Sequence, residues 1–191
     1  MNATVESAKK IWTEAELQAL PEDGYIHEVV NGELVMSPKN NFQHGNIASR
    51  LFLALGNYAQ QHQLGVVLDS STGFWMRTRN CRAPDISFIA RGRLAGWKPS
   101  SQDFFAGAPD LAVEILSPNN TRGEIDARLK DFFESGARLA WIIDPDRERA
   151  EVCHTLTQRK LIGSGAFLEG DDLLPGFGYP LDDLFKPWDW A

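Results

Sequence analysis

Two carboxylates in this sequence sit where carboxylates are expensive. Glu114 lies inside Leu111-Ala112-Val113-Glu114-Ile115-Leu116, a short and nearly all-apolar run of the kind buried on both faces of a sheet. An ionised side chain there needs an ion-pair partner, hydrogen bonds or a metal. Arg128 and Arg138 are the candidate ion-pair partners. Asp85 follows Pro84 and opens a second apolar segment, with Ile86 and Phe88 directed to the opposite face. A strand-end aspartate can be a simple turn or cap residue. Paired with a mid-strand glutamate that lacks a partner, it reads differently. Hard oxygen ligands from two neighbouring strands suit Mg²⁺ or Mn²⁺ and leave positions for water and phosphate. A cation held this way activates water and stabilises the charge that develops in phosphodiester cleavage.

The surroundings of Asp85 are basic in a chain that is otherwise acidic. The 191 residues carry a net charge of −7, which argues against a general nucleic-acid coat protein. Yet Arg77, Arg79, Arg82, Arg91, Arg93 and Lys98 surround the single acid Asp85. That stretch fits an anionic substrate approaching the carboxylate, and it equally fits a solvated loop face. Cys81 and Cys153 follow no metal or redox spacing and suit a reducing compartment. The first residues lack the apolar stretch of a signal peptide, and no run is long enough to span a bilayer. The expectation is a soluble, cytoplasmic protein. Phosphate-binding Gly-Lys loops, zincin helices, Cys-x-x-Cys pairs and nucleophile elbows are absent from the sequence.

The elements that must hold these residues are legible in the patterning. Thr13 to Glu16 is a capping box that opens a short helix stopped by Pro21. Asn31-Gly32 between two β-prone runs predicts a hairpin over 26–36. A loop over Pro38 to Gln43 leads into a helix from His44 to about Gln61, with Ile47, Leu51, Leu55 and Tyr58 at helical spacing. Strands follow at Val66–Leu68, Phe74–Met76 and Asp85–Ile89, then a long irregular connection over 91–109. Leu111–Leu116, a helix capped at Thr121 with the stripe Ile125, Leu129, Phe132 and Phe133, and Leu139–Ile143 make a βαβ unit with parallel strands. Glu148 to His154 returns antiparallel. The fold class is α/β with a mixed sheet flanked by helices. It forms one domain over 1–191, with a core from about 12 to 184 and a flexible lead over 1–11. The Trp188 and Trp190 tail reads as a packing or interface element.

These motifs have a family resemblance. Asp85 in Ala83-Pro84-Asp85-Ile86, followed by Pro109-Asp110-Leu111-Ala112-Val113-Glu114-Ile115-Leu116-Ser117-Pro118, resembles the PD-(D/E)XK nuclease superfamily. The chain more narrowly resembles the Uma family of restriction-endonuclease-like proteins, through Glu28 to Pro38, His44-Gly45 and Gly136 to Pro145. The resemblance implies a restriction-endonuclease-like core and a divalent metal, Mg²⁺ or Mn²⁺, on Asp85 and Glu114, with the Ile115 carbonyl as a further ligand. It also implies DNA as substrate and places Glu28 and His44 near the metal. From the residues alone, Glu28 reads as a solvated strand residue and His44 as a surface or helix-capping histidine. Many nucleases of this fold act as dimers, and a homodimer would suit double-strand cleavage.

The superfamily lysine two residues after the glutamate is absent, because Leu116 stands there. The family resemblance moves it to the next helix, four residues before an aromatic, which is Arg128 counted from Phe132; Lys130 is the nearby alternative. At 100° per residue, Arg128 lies about 80° from the centre of the apolar stripe and Lys130 about 120°. Arginine clamps phosphate and stabilises charge but stays protonated and cannot be a general base. The alternative function is therefore a catalytically impaired nuclease fold acting as a nucleic-acid-binding or interaction module.

Overall fold

The computed structural model describes residues 10–21, 23–37, 40–98 and 104–187. Pro38, Trp188, Trp190 and most of the lead over 1–11 lie outside the described residues. The Thr13 capping box opens α1 (Glu14–Gln18). Asn31-Gly32 folds β1 (Ile26–Val30) onto β2 (Glu33–Ser37), and both turn residues take positive φ, 51° and 80°. That pair of conformations matches the twist of the flanking strands. Asn41 caps α2 (Phe42–Gln61), whose stripe Ile47, Leu51, Leu55 and Ala59 is fully buried.

A six-stranded mixed sheet carries the core. Its strands are β3 (Gly65–Asp69), β6 (Ile86–Ala90), β8 (Leu111–Ile115), β9 (Leu139–Asp144), β10 (Arg149–Cys153) and β11 (Arg159–Ile162). They are ordered β11-β10-β9-β8-β6-β3. Between β8 and β9 runs α3 (Arg122–Glu134), opened by the Thr121 capping box, and these two strands are parallel as βαβ patterning requires. The other pairings in this sheet are antiparallel. Side-chain alternation divides the core between the two faces. Leu111, Val113 and Ile115 pack with α2 and with the C-terminal β12 (Phe167–Glu169), β13 (Gly178–Pro180) and α4 (Leu181–Phe185). Ala112, Ile89 and Ile142 pack with Ile125, Leu129 and Phe132 of α3.

A second sheet of five strands, ordered β2-β1-β5-β4-β7, wraps past the α3 side. It contains β4 (Phe74–Trp75), β5 (Cys81–Arg82) and β7 (Phe105–Ala106). The 91–109 connection is accordingly not irregular throughout. It begins as a 3₁₀ turn at Arg91–Leu94, and β7 then pairs in parallel with β4. Two-residue strands are too short to carry a period, so only the pairing defines them. Among the described residues no helix is long and apolar enough to cross a membrane.

Candidate active site

The register of β6 on β8 decides how Asp85 and Glu114 meet. Ile86 faces Val113 and Ser87 faces Ala112, so one further step sets Asp85 opposite Glu114. The strand ladder gives way at that step, and the Asp85 side chain takes over from backbone. The Ile115 N–H donates to Asp85 Oδ2 at 2.7 Å, and His44 Nε2 lies 3.1 Å from the same oxygen. His44 reaches it from the first turn of α2, where its own N–H donates to the Asn41 cap. Asp85, Glu114, Ile115, His44, Glu28 and Arg128 all line one cleft of about 440 Å³.

Glu114 is 7% exposed, and its Oε1 accepts from Arg128 Nε at 2.7 Å. The Arg128 partner allowed by the sequence is therefore the real one; Arg138 pairs with Asp172 at the surface instead. Burial pushes the Glu114 carboxyl up to about 8, and the neighbouring charges of Asp85 and Glu28 add to the rise, while Arg128 pulls the other way. Burial is the largest of these effects and sets the direction of the shift. Arg128 is half-buried, and its loss of solvent alone would lower its affinity for a proton; the charges of Glu114 and Glu28 outweigh that and hold it protonated.

Glu28 is buried, not a solvated strand residue. Its Oε2 accepts from Arg128 Nη1 at 2.7 Å, and its Oε1 accepts from the Ala83 N–H at 2.8 Å. Arg128 Nη2 donates in turn to the Ala83 carbonyl at 3.2 Å. Glu28 and Arg128 thus grip both backbone groups of Ala83, two residues ahead of Asp85. Lys130 is not in this group: it lies on the outer side of α3, 62% exposed, 3.9 Å from Glu134. The helix turns it away, as its larger angle from the apolar stripe requires. The basic stretch around Asp85 also divides. Arg82 is buried against Asp131 and Glu28, and Arg93 bonds Asp110 and the Ala108 carbonyl. Neither of those two is a free cation for a substrate.

Sequence reasoning missed Asp131. This buried carboxylate accepts from Thr78 Oγ1 at 2.8 Å, from Asn80 Nδ2 at 2.9 Å and from Arg82 Nε at 2.7 Å. No local pattern in the sequence marks it: Thr78 and Asn80 lie in the turn before β5, where Arg79 has φ of 65°, so no strand period runs through them.

Among the described residues, no group of three or more histidines, cysteines, aspartates or glutamates is arranged to hold a metal ion. The oxygens that remain are fewer but suitable. Asp85 Oδ1 and Glu114 Oε2 accept no hydrogen bond from the described residues. The Ile115 carbonyl leaves β8 on the same side as its N–H, which points at Asp85. Two carboxylate oxygens and one carbonyl fit a hard cation that keeps several waters, which is the habit of Mg²⁺.

A family model described as "Putative restriction endonuclease" matches residues 14–182. Among solved structures the chain is similar to one titled a putative nuclease belonging to DUF820 from Anabaena variabilis ATCC 29413. The two share 20% sequence identity with a TM-score of 0.79, over 91% of this chain and 97% of that one. At that identity the likeness establishes the fold, a mixed α/β nuclease-like architecture. No curated protein matches the chain significantly. With nearly the whole fold covered by the family model, this chain belongs to the Uma2 family of restriction-endonuclease-like proteins.

Proposed function

We propose that the protein is a Mg²⁺- or Mn²⁺-dependent endonuclease that hydrolyses phosphodiester bonds in DNA. One observation carries this reading: Asp85 and Glu114 stand opposite each other at the end of the β6–β8 ladder and line the same cleft, each with an oxygen that accepts no hydrogen bond from the described residues. Asp85, Glu114 and the Ile115 carbonyl would hold the cation, which supplies an activated water and charge stabilisation when bound. His44 fixes the orientation of the Asp85 carboxylate by sharing Oδ2 with the Ile115 N–H. Glu28 and Arg128 fix the Ala83 backbone and therefore the approach of Asp85. Arg128 stands beside the site of the scissile phosphate as a permanent positive charge. It cannot accept a proton, so the attacking water must lose its proton elsewhere.

The test is cleavage of plasmid and single-stranded DNA with Mg²⁺ or Mn²⁺. Asp85→Ala and Glu114→Ala should each lower the rate by more than about 100-fold, beyond the 10–100-fold that outer metal partners typically cost. Arg128→Lys should raise it roughly tenfold or more, within the range that general acid–base groups supply. Cleavage that survives both alanine substitutions would overturn the reading. A wild-type protein that binds DNA in a salt-sensitive way but never cleaves it, and is not rescued by Arg128→Lys, would make it a binding module of the same fold.

A further inference from the structure

The cleft is poorly equipped to hold a polyanion by itself. Glu28, Asp85, Glu114 and Glu124 line it, and Arg128 is the arginine among its lining residues. That guanidinium is already engaged by Glu114, Glu28 and the Ala83 carbonyl. A nucleic-acid strand needs cations along its backbone on either side of the reacting phosphate. They must come from beyond the cleft lining.

The turn between β4 and β5 offers two. Along residues 77–80 the side chains alternate. Thr78 and Asn80 point inward and bond Asp131, while Arg77 and Arg79 are exposed. Neither exposed guanidinium has a hydrogen-bond or ion-pair partner among the described residues. The turn is nonetheless held hard. The Arg77 N–H donates to Ser135 Oγ at 3.0 Å, the Met76 N–H donates to the Asn80 carbonyl at 2.7 Å, and Asn80 Oδ1 accepts from the Asn31 N–H at 2.7 Å. Arg79 also has φ of 65°, a left-handed conformation in which glycine or asparagine is less costly. An arginine kept in that conformation, exposed and unpaired, gives the fold nothing that glycine would not. Asp131, which anchors the turn, lies on α3 three residues beyond Arg128, about one helical turn from the cleft. The anchor Arg82 joins the same Glu28 carboxylate that holds Arg128, at 3.4 Å.

From this placement we infer that Arg77 and Arg79 form a rigid contact for the phosphodiester backbone of the nucleic-acid substrate, on the α3 side of the fold and beyond the lining of the cleft. The inference rests on the proposed nuclease reading for its partner, and it assigns substrate binding to a turn remote from the metal carboxylates. Its test is binding, not turnover. Fluorescence anisotropy of a short labelled DNA duplex, in Ca²⁺ to support binding, would be followed from about 50 to 200 mM salt. The Arg77→Gln/Arg79→Gly double variant should bind about tenfold more weakly, with its slope of log affinity against log salt reduced by about 1.8, or 0.9 per lost phosphate contact. The Arg79→Gly single variant separates function from folding: its thermal midpoint should equal or exceed that of the wild type while its affinity falls. Unchanged affinity and slope in the double variant would overturn the inference and leave the nuclease reading intact. Weakened binding without metal-dependent cleavage by the wild type would uphold the contact and remove the nuclease reading. A wild-type protein with no salt-sensitive binding to the duplex would overturn the contact outright.

Discussion

At the residue scale the candidate site is a contest between burial and charge. Glu114 has a folded-state affinity for protons raised from the ordinary 4.5 to about 8, chiefly by burial. Between those two values the metal-free folded chain binds more protons than the unfolded one, so this residue's contribution to stability is complete below pH 4.5 and falls as pH rises through about 8. Denaturant unfolding of the metal-free protein between pH 5 and pH 8.5 should show that decline, and Glu114→Gln should flatten it. An identical slope in both proteins would mean that Glu114 is ionised throughout. The need of Glu114 for a partner was legible in the sequence because a charge in a run of buried strand residues has few explanations. Which partner it takes was not legible, since Arg128 and Arg138 are both within reach of the pattern and only the three-dimensional register separates them.

At the element scale, α3 does two jobs three residues apart. Arg128 reaches Glu114 and Glu28, and Asp131 gathers Thr78, Asn80 and Arg82. The result is a buried ring of alternating charge, Arg128–Glu28–Arg82–Asp131, closed through the helix itself. Removing one partner from such a ring strands the other in low dielectric. Asp131→Ala should therefore destabilise the fold by about 3–5 kcal/mol, measured by denaturant unfolding. Thr121→Ala, which removes one half of an exposed capping box, should cost only about 1 kcal/mol. Equal effects from the two would contradict the ring's importance. The caps, the Asn31-Gly32 hairpin and the βαβ unit could be read from sequence because each has a local chemical signature. The ring could not, because it joins three elements distant in sequence, β1, β5 and α3, and β4, β5 and β7 are too short to announce themselves.

At the scale of the whole molecule, one mixed sheet separates two apolar layers, and the candidate site sits where the sheet's ladder stops. The α3-side layer buries Cys153, and a separate cluster on the second sheet, with Leu17 and Val29, buries Cys81. Burial pushes the Cys81 and Cys153 thiols up to about 12, with nearby Glu28 and Glu151 respectively adding to the rise. Neither forms a thiolate near neutrality, so a thiol reagent at pH 8 should label the native protein negligibly and both residues after unfolding. Rapid native labelling would show that one of these two clusters opens. The overall class and the helix-flanked sheet followed from hydrophobic periodicity. The second sheet did not, because its pairings depend on a connection whose sequence looks like loop.

The proposed function stands on Asp85 and Glu114 binding one divalent cation together. A Mn²⁺ titration followed by electron paramagnetic resonance reads this without recourse to activity. A single site per chain is expected, weakened by more than about 100-fold in both Asp85→Asn and Glu114→Gln, with proton release on binding at pH 7 as Glu114 ionises. Mn²⁺ binding that is absent from the wild type, or that survives both substitutions, would contradict it.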